Sequence, residues 1–324
     1  MKAVVLKEFG PAQNLHVADV PIPSISDDEV LVNVKSFSIN PVEAHVREVE
    51  HWWNLVSAST TADPHIILGW DVSGIITETG KNFTKFKKGD EVFGMINFLG
   101  YGAAYAEYVS APVTDLALKP SNISFEEAAG ATMAAQTAWV SLVRYGKVKK
   151  GDKVVITGAS GGVGHFAVQI AKHFGAHVIG VASEENRDFV LSLGADEFVD
   201  YKTQNFEELI TDADLVHDAV WRNDESHILR SLNAIKPGGT LLSLMVYPSV
   251  DFIEMAMKKR KVSVVRMNVT DSSDHIGDVE AIRSLLDMGK MKTHISQEFA
   301  IEETQKAHQQ IETHTTKGKI VIKL

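Results

Sequence analysis

Apolar positions along this chain follow two rhythms, and the change falls near residue 150. In the first 124 residues short runs recur with a period close to two. They are KAVVL at 2–6, EVLVNVKSFSIN at 29–40, DVSGIITETG at 71–80, DEVFGM at 90–95 and AYAEYVSA at 104–111. Turn formers separate them at Gly10-Pro11, Pro21-Ile22-Pro23, Gly80-Lys81-Asn82 and Lys88-Gly89-Asp90. That pattern predicts an irregular β-domain rather than a βαβ array. Residues 125–145 switch to helical spacing, with Ala128, Ala129, Thr132, Ala135, Ala138, Trp139 and Leu142 on related faces.

From residue 153 strands and helices alternate. The strand runs are VVITG at 154–158, HVIGVAS at 177–183, DEFVDY at 196–201, DLVHDAV at 214–220, GTLLSLM at 239–245 and KVSVVRM at 261–267. Helical spacing fills 165–174, 186–193 and 224–235 between them. Six short apolar runs with intervening helices predict an α/β fold with a doubly wound parallel sheet. The tail carries helices near 276–289 and 302–313 and ends in the strand pattern KIVIKL at 319–324. A terminal strand needs a sheet to pair with, so the tail is expected to rejoin the first domain. The expected division is 1–124, 125–268, and 269–324 returning to the first domain.

The segment KVVITGASGGVG at 153–164 carries the clearest chemistry. A β-branched run leads into a glycine loop. A helix follows, with Phe166, Ala167, Ile170, Ala171 and Phe174 at helical spacing. A strand, a tight glycine turn and a helix start make an anion site, because the free N–H groups of the helix end point at the ligand. Ala159, Gly161 and Gly164 take the three fingerprint positions, the first as Ala rather than Gly. The loop residues Ala159, Ser160, Gly161, Gly162, Val163 and Gly164 are therefore candidate pyrophosphate contacts, against the plainer reading of an ordinary βα turn. The same stretch also fits TGxxxGxG, the loop of short-chain dehydrogenases. That reading needs the loop early and a Tyr-x-x-x-Lys pair after it. Here about half the chain comes first, and Tyr145 with Lys149 precedes the loop.

Composition narrows the classes. The 324 residues suggest about two domains, with 44% hydrophobic and 23% charged residues, ordinary for a globular protein. The absence of Cys excludes disulfides, thiolate metal sites and a cysteine nucleophile, and suits a cytoplasmic protein. The start MKAVVLKEFGPAQ lacks the apolar core of a signal peptide, and no stretch reaches the ~18 apolar residues of a membrane span. A net charge of −10 argues against nucleic acid as a partner, and the basic run at 258–261 reads as a solvated turn.

Several separate blocks resemble the medium-chain dehydrogenase/reductase superfamily, and within it the zinc-free quinone oxidoreductase branch. They are INPVEAHVR at 39–47, LGWDVSGII at 68–76, KKGDEVFG at 87–94, AYAEYV at 104–109, AAQTAW at 134–139, GASGGVGHFAVQIAK at 158–172, LGADEFVDY at 193–201, KPGGTL at 236–241 and KGKIVI at 317–322. The resemblance covers almost the whole chain. It implies a GroES-like irregular β-domain beside a Rossmann dinucleotide-binding domain, and a homodimer is expected. Zinc alcohol dehydrogenases of the superfamily use a Cys, a Gly-His-Glu block and a further Cys or Asp. Here the block reads Gly69-Trp70-Asp71 and no Cys exists. His45 with Asp71 and Glu43 offers an alternative ligand set, but a catalytic zinc needs three well-placed ligands and an open position, so no metal is expected. Trp221 stands where relatives carry a glycine.

The resemblance implies a hydride transferred from a nicotinamide to an acceptor. Without a Lewis acid, oxidising a simple alcohol is hard, whereas a quinone or an activated alkene is already electron-poor. A quinone is the expected acceptor, with enones and enals as the alternative. A protein that senses the dinucleotide without turnover remains a third reading. Asn40 and His45 are the candidate catalytic groups, as hydrogen-bond partners for an acceptor oxygen. The alternatives are a turn residue before Pro41 and a structural imidazole. Thr137 belongs to a superfamily block near the nicotinamide. Trp52, Trp53, Tyr101 and Tyr105 can wall a flat substrate or simply pack. The second strand ends in Val181-Ala182-Ser183 without the acidic residue that binds a ribose 2′-hydroxyl. Ser183, Asn186 and Arg187 suit a 2′-phosphate, and Tyr201 matches a tyrosine that lies beside it in relatives. Glu184 and Glu185 cut the other way unless they complement the next helix N-terminus. NADPH is the expected cofactor, with Ser243 and Lys319 as further candidate contacts. The acceptor pocket depends on loops at 47–65 and 246–260 that periodicity does not resolve.

Overall fold

The computed structural model describes residues 1–51, 66–82, 85–220, 225–244, 250–266, 268–272 and 274–324. Trp52, Trp53 and Trp221 lie outside the described residues, as do parts of the loops at 47–65 and 246–260. The chain divides into two compact units, 1–134 with 274–324, and 135–273.

The first unit opens with β1 (Lys2–Leu6), β2 (Leu15–Asp19), β3 (Glu29–Ile39), β4 (Ile66–Ile67), β5 (Asp71–Thr79), β6 (Glu91–Met95), β7 (Tyr108–Pro112) and β8 (Leu116–Leu118). β1 sits between β2 and β4 in a small antiparallel sheet. β3 is the hub of the larger sheet, pairing antiparallel with β5 and β7. Its Val30, Val32, Val34, Phe37 and Ile39 are all buried, and so are Ser36 and Ser38 between them, as a strand covered on both faces requires. The AYAEYVSA run becomes a strand only from Tyr108. Ala104 and Tyr105 instead donate to the Gly69 and Leu68 carbonyls, and Ala106 bridges to Ala3.

A helix at Pro41–Glu48 follows β3 directly. Its start is written in the sequence: Asn40 at the N-cap, Pro41 at the first helical position, and Glu43 returning to the Asn40 backbone N–H. The helical run at 125–145 is broken into Phe125–Gly130, Met133–Trp139 and a π-helical turn at Val140–Tyr145. At the first break Thr132 Oγ1 donates to the Ala129 carbonyl at 2.8 Å, a local bond that competes with helix continuation.

The second unit holds β9 (Lys153–Thr157), β10 (His177–Ala182), β11 (Glu197–Asp200), β12 (Ala213–Asp218), β13 (Ile235–Ser243) and β14 (Ser263–Arg266). They form one parallel sheet in the order β11–β10–β9–β12–β13–β14. Val155, Ile179, Val181, Val216, Phe206, Ile228 and Leu232 build a core on one face. The strand order reverses at β9, so the crevice beyond its carboxyl end is where such sheets take ligands. The tail then supplies β15 (Ile295–Ala300) and β16 (Lys319–Lys323), and β16 pairs antiparallel with β3 in the first unit. Among the described residues no helix is long and apolar enough to cross a membrane.

Candidate functional site

In the second unit the glycine loop leaves β9 at its carboxyl end. Gly158 takes φ +68°, a left-handed conformation that favours glycine. Gly161 N donates back to the Gly158 carbonyl at 2.9 Å, closing the turn. Gly164 packs so tightly that a Cβ there would lie 2.0 Å from the Gly158 oxygen. Gly161 differs: a Cβ there would meet only that same oxygen, at 3.3 Å. One glycine therefore serves the fold, while the other leaves a face open to an approaching group. Ala159 is fully buried and its N–H donates to the Val181 carbonyl at 3.1 Å, which lets alanine stand at the first fingerprint position. The helix Gly162–His173 carries no acidic residue in its first turn, so its leading N–H groups and dipole favour an anion. Ser160 and Val163 are half-buried on this loop.

A buried carboxylate anchors the loop. Asp218, at the end of β12, accepts from Thr157 Oγ1 at 2.7 Å, from Val220 N at 3.2 Å and from His227 Nε2 at 2.9 Å. Burial alone would raise its pKa, but these donors hold it below the ordinary carboxylate value. Nothing in the local spacing marked Asp218 or His227. Ser243, the register partner of Asp218 on β13, is buried, and its hydroxyl has no hydrogen-bond partner within the described protein. An orphaned hydroxyl at the carboxyl end of the same sheet, two strands from β9, and an open face at Gly161 fit a dinucleotide. Thr137 is buried on the helix Met133–Trp139.

The ends of β10 and β11 bring the remaining candidates of this unit together. Tyr201 N donates to the Ala182 carbonyl at 3.2 Å, beside Ser183. Asn186 Nδ2 donates to Ser183 Oγ at 3.1 Å. Arg187 stacks over Phe198 at 4.6 Å and forks onto Glu184 at 2.6 and 2.8 Å. Lys202, which the sequence reading passed over, donates to Glu185 at 3.0 Å.

In the first unit Asn40 and Lys319 meet directly. Asn40 Oδ1 accepts from the Lys319 ammonium, while Asn40 Nδ2 donates to Asp71 at 2.8 Å and to Glu43 at 3.2 Å. Both amide protons are thus committed inside the unit, and Asn40 in this arrangement has none to give an acceptor oxygen. Asp71 also accepts from Ser38 Oγ at 2.6 Å and from Met133 N at 3.1 Å, with the Lys319 ammonium 3.9 Å away. Burial, then the neighbouring Asp71, pushes the Glu43 carboxyl up to about 8. Burial lowers Lys319, opposed by the two carboxylates. His45 lies half-buried on the helix after Asn40.

This cluster does not suit a catalytic zinc. Trp70, where zinc enzymes place a His ligand, buries its indole and donates to the Gly100 carbonyl at 2.8 Å. Both Asp71 oxygens are hydrogen-bonded, and their counter-charge is an ammonium. Among the described residues no three His, Asp or Glu side chains stand together as a metal set.

A second buried network lies close by in sequence. Arg47 donates to His308 Nδ1 at 3.3 Å and to Glu312 at 2.5 Å, and Tyr105 Oη meets His308 Nε2 at 3.2 Å. Arg47 can only donate, so His308 is the tautomer with its proton on Nε2. Burial and then Arg47 depress it to about 3. Tyr105 is buried and stacks on Phe37 at 4.6 Å, whereas Tyr101 lines an open cavity of about 730 Å³ with Phe98, Leu99 and Pro21.

Comparison with known proteins agrees with this architecture. Residues 26–121 match the alcohol dehydrogenase GroES-like domain, and residues 193–322 match the family described as zinc-binding dehydrogenase. The chain is 30% identical over 335 residues to the chloroplastic NADPH-dependent alkenal/one oxidoreductase of Arabidopsis thaliana, covering 99% of this chain and 79% of that one. It is 31% identical to the chloroplastic quinone-oxidoreductase QR1 of Triphysaria versicolor, covering 99% and 98%. The solved quinone oxidoreductase of Coxiella burnetii aligns with a TM-score of 0.87 at 30% identity, over 100% of this chain and 99% of that one. A GroES-like unit, a doubly wound unit and relatives matched over 99% of this chain leave one assignment: the chain belongs to the medium-chain dehydrogenase/reductase superfamily, among the quinone oxidoreductases.

Proposed function

We propose that this oxidoreductase uses NADPH to reduce a quinone, without a metal. The observation that carries the reading is the Lys319 ammonium beside Asp71, in a cluster whose hydrogen bonds are already complete. With an ammonium there in place of a Lewis acid, an acceptor that already draws electrons suits the protein better than an alcohol does. Bound NADPH supplies the hydride. The chain's own residues hold and orient it: the loop 159–164 and the helix N-terminus at the pyrophosphate, Ser183, Asn186, Arg187 and Tyr201 at the 2′-phosphate, and Thr137 and Ser243 toward the nicotinamide. Lys319 is proposed to act by holding Asn40 and Asp71 in place, and His45 is the candidate to give a hydrogen bond or proton to the acceptor oxygen. The similarity to an NADPH-dependent alkenal/one oxidoreductase supports activated alkenes as the second reading. A homodimer in the cytoplasm completes the proposal.

Steady-state NADPH oxidation across benzoquinones, naphthoquinones, enones and enals tests it. We expect the highest kcat/KM with a quinone, and no NADP-dependent oxidation of ethanol-like alcohols. Higher kcat/KM with enones would move the assignment to alkene reduction. Tight NADPH binding without turnover on any acceptor would favour a dinucleotide sensor.

A further inference from the structure

The 2′-phosphate region holds two acidic residues that an NADPH site has no evident use for. They are not idle. Glu184 is forked by Arg187 Nε and Nη2 at 2.6 and 2.8 Å. Glu185 takes the Lys202 ammonium on both oxygens, at 3.0 and 3.4 Å. Its own backbone N–H, the Ser183 hydroxyl and Lys202 together hold the Glu185 carboxyl down to about 2. An ammonium laid across both oxygens of one anion, with the Ser183 hydroxyl two residues away in the chain, offers contacts of the kind a phosphoryl group asks for. All of this lies at the carboxyl ends of neighbouring strands β10 and β11, which pair through Ala182 and Asp200.

We infer that the Glu185 carboxylate occupies the 2′-phosphate seat in the free protein, that NADPH must displace it, and that Lys202 is a phosphate ligand the sequence did not reveal. The inference rests on the NADPH reading above and deepens it. The internal anion has a selective consequence. NADPH binding breaks the Glu185–Lys202 pair before Lys202 can serve the phosphate, whereas NADH leaves the pair intact. The carboxylate therefore lowers the preference for NADPH that the cations alone would confer. These side chains are exposed by about half or more, at 52% for Lys202 and 64% for Glu185, so substitutions there spare the core.

The test is direct titration of wild type, Glu185→Gln, Lys202→Ala and the double variant with NADPH and with NADH, following nucleotide fluorescence. Exposed ion pairs of this kind set the expected size. Glu185→Gln should lower the NADPH Kd about two- to fivefold and leave the NADH Kd unchanged. Lys202→Ala should raise the NADPH Kd about fivefold, again sparing NADH, and the double variant should match Lys202→Ala. Thermal midpoints near that of wild type show that each variant is folded. A rise in the NADH Kd of Glu185→Gln with no change for NADPH would make Glu185 a ribose ligand and overturn the inference. No change with either nucleotide would reduce the contact to a surface ion pair and overturn it as well. Wild type binding NADH more tightly than NADPH would refute the cofactor assignment, while the shifts in NADPH Kd among variants would still decide the occupancy of the seat.

Discussion

Replacing Gly161 with Val separates the loop's two jobs. The backbone there has φ −80° and ψ −176°, extended geometry that any residue adopts, so no left-handed strain arises. The added Cβ would meet only the Gly158 oxygen, at 3.3 Å, which asks the turn to give by a few tenths of an ångström. Losing glycine at a helix N-cap costs about 1 kcal/mol, a few degrees in the thermal midpoint of a protein this size. The ligand side is affected far more. A valine side chain fills the space through which a pyrophosphate reaches the first N–H groups of the helix. Losing one such charge-assisted bond costs about 1.5–3 kcal/mol, a tenfold to hundredfold loss of affinity. Gly164→Ala is the contrast. Its Cβ would lie 2.0 Å from the Gly158 oxygen and 2.9 Å from Ala159 Cα, all backbone, so the loop itself must deform. NADPH fluorescence titration with thermal unfolding reads both quantities. If Gly161→Val folds normally and binds NADPH within twofold of wild type, the pyrophosphate does not sit on this loop.

Further predictions follow from the charged groups. NADPH should bind at least tenfold more tightly than NADH, and Arg187→Ala should narrow that gap by removing a charge-assisted contact worth about 1.5–3 kcal/mol; a wild-type preference for NADH would refute it. Purified protein should carry well below one equivalent of zinc, and chelators should leave turnover intact; stoichiometric zinc whose removal abolishes activity would sink the metal-free mechanism. Free imidazole titrates at about 6.5, while folded His308 does so only at about 3. Between those values the unfolded chain binds the extra proton, so stability present above pH about 6.5 is lost as pH falls toward 3. His308→Gln, whose amide can accept from Arg47 and donate to Tyr105, should flatten that acid limb in thermal melts taken from pH 7 to 4. An unchanged slope would show that His308 does not set it. Glu43 acts in the opposite direction, with stability lost as pH rises toward about 8.

The elements that span a few residues were open to reading in one dimension. The run 153–164 contains a strand, the turn glycines and the helix start, so spacing alone located the strand–turn–helix that the proposed anion site is built on. β1, β3, β5 and β16 followed from apolar patterning. Where spacing misled, a competing local bond or a short or interrupted apolar run intervened. The helix expected over 125–145 broke at Thr132, and β2, β4 and β8 passed unmarked because their apolar runs are short or interrupted.

The charge clusters belong to tertiary structure. Lys319 reaches Asn40 across 279 positions, and His308 reaches Arg47 across 261. No spacing rule connects such residues. Composition could exclude a cysteine-ligated metal, but only packing placed an ammonium beside Asp71, took up both amide protons of Asn40, and raised Glu43 toward neutrality. Local backbone preference acts between neighbours in sequence and leaves its mark there. Burial strips water from groups that only the completed fold brings together, and with the water goes the screening that would have kept their pKa values ordinary.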